Sequence, residues 1–280
     1  MKKQIFAILA LVLALSGCSD DSPEATSATS QISASQPVDT RPAEPAGTKT
    51  IYVRTCQTQS SGESVTRREC LLDENNLVYQ VVFYTNDAET MRYDVENDEN
   101  GNYIRWVSEH ITCVFHYDQQ GRYLGKSVYA KEQLISSMEY TWENGNPVSL
   151  TDTNGTQEQR TAWFYNESGQ KVREEMYQNG VLVNYSQITP DEQGRALSQD
   201  VYLADGTLHS TVSYLYEGAV CTATTTLTDG TVEQRTEYTY DEQGNLLSTT
   251  VYSGDGQMIS QVVDTWKAIQ VPVDSLRASI

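Results

Sequence analysis

Glycine turns recur along this chain at an interval that leaves little room for anything but β-hairpins. One series runs Asn100-Gly101, Gln120-Gly121, Asn144-Gly145, Ser168-Gly169, Gln193-Gly194, Glu217-Gly218 and Gln243-Gly244, with steps of 20, 24, 24, 25, 24 and 26 residues. A second series falls about halfway between: Asn154-Gly155, Asn179-Gly180, Asp205-Gly206, Asp229-Gly230 and Asp255-Gly256. Asn-Gly and Asp-Gly suit tight hairpin turns, whose central residues need positive φ. A fixed period of this size marks a repeat architecture, here two strands of roughly eight residues and two turns per unit.

The segments between turns alternate as half-buried strands do. Phe115 and Tyr117, Tyr140 and Trp142, Trp163 and Tyr165, Tyr214 and Tyr216, and Tyr238 and Tyr240 each precede a turn of the first series. Residues two apart share one face of a strand, so successive units stack these rings into an aromatic ladder. The ladder is the candidate ligand-facing surface, and a buried core is its other reading. Tyrosine suits either role, because it pairs apolar area with a polar tip, and the chain holds 18 Tyr against 4 Phe.

Most ring pairs lead into an acid or amide and then the glycine, as in Tyr117-Asp118-Gln119-Gln120-Gly121 and Tyr240-Asp241-Glu242-Gln243-Gly244. A second tyrosine follows some of these glycines eight residues on, at Tyr129, Tyr177, Tyr202 and Tyr252. Over about residues 93 to 266 this pattern resembles the YD/RHS-type repeats of bacterial surface and toxin proteins. Trp142-Glu143 and Tyr165-Asn166 depart from Tyr-Asp, and Pro190-Asp191 has lost the ring. The resemblance implies a long coiled β-sheet, used elsewhere as a shell or a carbohydrate-binding surface. MORN-like hairpin repeats have similar periods but more glycine. Ile51 to Arg92 reads as weaker copies, with turns at Ser61-Gly62, Asn75-Asn76 and Asn86-Asp87. The expected fold is therefore all-β: antiparallel β-hairpin repeats forming a coiled or rolled sheet or solenoid over residues 49–280. About sixteen strands are too many for one flat open sheet. Trp266 to Ile280 is the expected terminal cap.

The N-terminus points to a compartment. Lys2 and Lys3 precede an apolar run from Ile5 to Leu15, too short for a membrane span of roughly 20 residues. The charged start, short apolar run and small residues before Cys18 read as an export signal over residues 1–18. Leu15-Ser16-Gly17-Cys18 resembles the lipobox of bacterial lipoproteins, which implies acylation of Cys18 and anchoring to the cell membrane or outer membrane on its extracytoplasmic face. Residues 19–48 contain no aromatic residue and four of the seven prolines, which reads as a disordered Ser/Thr/Pro/Ala linker. As a coil that length spans about 30 Å.

A formal net charge of −19 argues against nucleic acid and against lying flat on anionic lipid. Cys56 and Cys70 lie nearly symmetrically about the turn near Gly62, so they form a candidate disulfide, with two buried thiols as the alternative. Cys113 and Cys221 read as core residues. The three histidines, His110, His116 and His209, show no metal-site spacing, and no catalytic or cofactor motif stands out. The expected function is a non-enzymatic module that binds a glycan or a protein partner, with no cofactor. A structural spacer or envelope-assembly subunit is the alternative, and a glycoside hydrolase is a weaker one.

Overall fold

The computed structural model describes residues 48–60, 65–73 and 77–272, with the backbone alone for 48–52 and 268–272. The export signal, Cys18, nearly all of the linker, and the turns at Ser61-Gly62 and Asn75-Asn76 lie outside the described residues. The chain forms eighteen strands: β1 (Thr48–Ser60), β2 (Thr66–Leu72), β3 (Val78–Thr85), β4 (Ala88–Asn97), β5 (Tyr103–Val107) and β6 (Ile111–Tyr117). There follow β7 (Tyr123–Ala130), β8 (Gln133–Glu143), β9 (Asn146–Asn154), β10 (Gln157–Tyr165), β11 (Lys171–Gln178) and β12 (Val181–Pro190). The last are β13 (Ala196–Leu203), β14 (Leu208–Glu217), β15 (Val220–Leu227), β16 (Val232–Tyr240), β17 (Leu246–Ser253) and β18 (Met258–Pro272).

Each strand pairs antiparallel with the next, as short connections of two to five residues require. β18 then pairs with β1 along its whole length, from Thr48 opposite Pro272 to Ser60 opposite Ser260. The sheet is thus a closed up-and-down barrel, where a coiled or rolled sheet or solenoid was expected. Closure satisfies the two edges that eighteen strands in a row would leave bare. The expected cap is in part a wall strand: Trp266 lies in β18, opposite Arg54. Arg54 donates to Asp264 across this seam at 2.8 Å.

An even number of strands puts both ends of the described barrel at one rim. The glycines of the first turn series lie there too, and we call it the first rim. Its turns explain the Tyr-Asp-x-x-Gly motif. The Asp118 carboxylate accepts from the backbone N–H of Gln120 and of Arg122, and Gly121 closes the loop at φ 77°. Asp98, Asn166, Asp191 and Asp241 repeat the arrangement with their own following residues. These are Asx turns, which Asp and Asn form because a short polar side chain reaches the backbone two residues on. At the second rim, Asn86-Asp87 and Lys131-Glu132 are two-residue turns with positive φ at both positions.

Register divides the side chains between two faces. One, the ring face, carries every residue of the expected ladder. The buried hydrophobic residues lie on this face apart from Val53, Val82 and Ala162. The densest cluster is Cys70, Leu72, Val81, Tyr93, Trp106 and Phe115. The opposite face carries the tyrosines that follow the glycines. There Arg67 lies over Tyr84, Arg160 over Tyr177 and Arg235 over Tyr252, each pair opposite in register. Arg67–Glu69, Arg173–Glu175 and Arg235–Glu237 ion pairs run beside them. With Arg54, Glu174 and Asp264 on the ring face, both faces carry charged side chains among the described residues.

Candidate binding site at the first rim

The ladder is continuous through the first half of the barrel. Ring centroids step from Phe83 to Tyr93 (5.9 Å), Trp106 (6.0 Å), Phe115 (5.3 Å), Tyr123 (6.4 Å), Tyr140 (5.8 Å) and Trp163 (6.2 Å). Tyr117 packs on Tyr123, and Trp142 on Tyr140. Offset and tilted rings at these distances are favourable. Phe115 and Tyr140 are each only 6% exposed, so this part of the ladder is core. Tyr214, Tyr216, Tyr238 and Tyr240 share the face among smaller neighbours, Cys221, Ala223 and Thr236. Burial raises the phenols of Tyr214 and Tyr238, and pushes Tyr216 up to about 12.

The last ladder ring of a unit has a second task. Strands joined at the second rim stop pairing before they reach the first, which leaves carbonyls unpaired. Trp142 Nε1 donates to the Tyr123 carbonyl at 3.0 Å, the Tyr165 hydroxyl to Pro147 at 2.7 Å, and the Tyr216 hydroxyl to Ala196 at 3.0 Å. Asn97 does the same for Val78. A polar-tipped ring before the turn thus staples neighbouring hairpins, which a phenylalanine there could not do.

One of these seams opens into a cleft. β9 pairs with β10 only as far as Ser149 opposite Ala162. β8 and β9 continue to Glu143 opposite Asn146, and β10 and β11 to Tyr165 opposite Lys171. The next partners in register would be Val148 with Trp163 and Pro147 with Phe164. The Pro147 carbonyl points toward β10, where Tyr165 binds it. In an antiparallel strand a residue's nitrogen points the same way as its carbonyl, and proline has no N–H to offer. The ladder therefore ends at Ser149, short of Pro147, and β9 and β10 part.

The space between them is about 460 Å³, within the size of small-ligand clefts. Trp163 and Tyr165 reach it from the ring face, and Phe164, 43% exposed, from the opposite face. Trp163 is held from behind by the stacked Tyr140 ring, and its Nε1 donates to Glu174 at 2.9 Å. Glu143, Asn144 and Asn146 line one lip, and Asn166 and Glu167 the other. The rigid parts are the rings, and the polar groups sit on turns at the mouth.

Of the expected site residues, the cleft brings together Trp163 and Tyr165 alone. Pro147 and Phe164 were not singled out in the sequence, although a proline two residues past an Asn-Gly turn is a legible interruption of a strand. The expected Cys56–Cys70 disulfide does not form. Register sets Cys56 opposite Arg68 and Cys70 opposite Arg54, a diagonal of roughly 7–8 Å that exceeds disulfide reach. Cys70, Cys113 and Cys221 are thiols. His116 is exposed and meets Ser127 at 2.9 Å. Among the described residues no group of three or more His, Cys, Asp or Glu is placed to hold a metal.

The carboxylates of the Asx turns make the first rim acid-sensitive. Side-chain hydrogen bonds from Asn102 and Asn245 hold Asp98 and Asp241 below the usual carboxylate range. For Asp118 and Asp191 desolvation acts upward, but the combined bonds from Arg122 and Gln120, and from Arg195 and Gln193, outweigh it. A carboxylate depressed in the folded state stabilises it above the unfolded value, about 3.9, and that contribution fades as pH falls through the folded value. The melting temperature is expected to hold from pH 7 to 5 and to drop below about pH 4. Replacing all four acids by asparagine, which keeps the Asx acceptor, should blunt that drop.

A family described as an uncharacterised protein matches residues 68–193. No curated protein matches the chain. Among solved structures, the chain is similar to TcdB2-TccC3-TEV at 14% identity and a TM-score of 0.22, covering 72% of this chain and 15% of that one. It spans a small fraction of that chain's length. It is also similar to a porin-like protein from Bacteroides uniformis at 11% identity and a TM-score of 0.28, covering 77% of this chain and 97% of that one. A protein of unknown function from Bacteroides fragilis is similar at 13% identity and a TM-score of 0.23, covering 49% and 93% of the respective chains.

Proposed function

We propose that the chain is an envelope-anchored lipoprotein, held by an acylated Cys18, whose YD/RHS-type hairpin repeats form a non-enzymatic binding module for a glycan or protein partner. The observation that carries the binding role is the β9–β10 cleft. There the ring-bearing strands stop pairing at Ser149 and Ala162, short of the rim, and amides and carboxylates line the mouth. The anchoring role rests on the N-terminal pattern. Because β1 starts at the first rim, a tether entering there leaves the cleft on the side from which the linker comes. Cys18→Ser should move the protein from the membrane to the soluble fraction of the envelope, and retention on the membrane would contradict the anchor. Binding is tested with the full protein, extracted in detergent, on an array of glycans and cell-wall fragments. Saturable binding without release of new reducing ends is expected. Cleavage of the bound glycan would make the module an enzyme, and no binding to any glycan or envelope protein would favour a spacer.

A further inference from the structure

Resting on the binding role above, we infer that the β9–β10 cleft is a subsite for a neutral oligosaccharide, and that it exists because Pro147 stops the strands from zipping. Three observations converge on that ligand class. Aromatic side chains flank the opening from both faces of the sheet, Trp163 and Tyr165 on one and Phe164 on the other. Such rings offer apolar surface to the C–H faces of a pyranose. The lips carry Asn144, Asn146, Asn166 and two carboxylates, Glu143 and Glu167. Amides offer both donor and acceptor, and a carboxylate accepts from two adjacent hydroxyls, so the set matches a polyol. A net charge of −19 repels anionic polymers, which leaves neutral sugars as the favoured class.

Pro147 fixes where the site lies. In the seam β15–β16, which likewise follows a two-residue turn at the first rim but has no proline there, pairing reaches Val220 opposite Thr239. At β9 the missing N–H ends the ladder one residue pair before the rings, so Trp163 and Phe164 keep edges that a continuous sheet would cover. Restoring an N–H at this position lets β9 take Phe164 into the ladder and closes the slot from within. Pro147→Ala is therefore a closing variant, and Phe164→Ala a contact variant. Phe164 is on the surface, so its loss leaves the packed ladder intact.

The test uses the full protein and defined neutral oligosaccharides of two to six units, of the cello-, malto- and N-acetylated chito- series, with binding read by calorimetry. One series should bind saturably. Phe164→Ala should weaken it by about tenfold or more, the loss of one hot-spot ring, with an unchanged melting temperature. Pro147→Ala should abolish binding with an equal or higher melting temperature. Binding that survives both variants overturns the cleft as the subsite, while leaving the broader binding role standing. An extended peptide that binds here, and is lost in the same variants, overturns the ligand class, because an open strand edge also suits an added strand. Absence of binding by any oligosaccharide or envelope partner overturns the broader role as well.

Discussion

Replacing Phe115 by alanine is expected to cost the fold about 3–5 kcal/mol, the usual range for a buried aromatic side chain cut back to a methyl. Phe115 is 6% exposed and touches three rings, Trp106 at 5.3 Å, Tyr103 at 5.6 Å and Tyr123 at 6.4 Å. Its removal opens a gap between β5 and β7 that rigid neighbouring rings cannot fill. Urea unfolding of the variant measures the loss. Leu215→Ala serves as the reference. Leu215 is 56% exposed on the face opposite the rings, and its truncation should stay within about 0.5 kcal/mol. Equal effects at the two positions would contradict a core on the ring face.

The second large effect is expected at the seam. Arg54 and Asp264 join β1 to β18 at 2.8 Å, with side chains 20% and 9% exposed. Arg54 also lies over Trp266, 5.6 Å from its centroid. Asp264→Ala removes one acceptor from a largely enclosed guanidinium, which should cost about 2–3 kcal/mol. Hydrogen exchange should quicken first in β1 and β18, where the two ends of the chain meet. Replacing both partners by apolar residues, as in Arg54→Met with Asp264→Leu, should recover most of the loss, because neither charge then has to be desolvated at the seam.

The hairpin period was legible because each turn needs a particular backbone. Gly121 and its counterparts sit at positive φ, and the acid three residues earlier supplies the Asx acceptor. The ring alternation was legible for the same local reason. The tyrosines after the glycine were not assigned a face, and they lie opposite the ladder, Tyr177 and Tyr252 under arginines. Lys131-Glu132 escaped notice as a turn, since neither residue favours the positive φ that it adopts. Closure left no local mark at all. Arg54 and Asp264 are 210 residues apart, and nothing in either segment alone names the other. The same holds for Cys56 and Cys70, where symmetry about a turn suggested a bond that register forbids. The cleft depends on one missing N–H at Pro147, visible as a strand-breaker in the sequence but without meaning until β10 is seen beside it.

The closed barrel is the premise on which the rims, the faces and the cleft all rest, and a cross-link across the seam tests it most directly. Thr55 and Thr265 are register partners on the face opposite the rings, at a separation that a disulfide can span. Under mild oxidation, Thr55→Cys with Thr265→Cys should give a single intrachain link in the folded monomer, with the melting temperature raised. Failure to link in the folded protein, or links between molecules alone, would mean that β1 and β18 are open edges, and the barrel would be wrong.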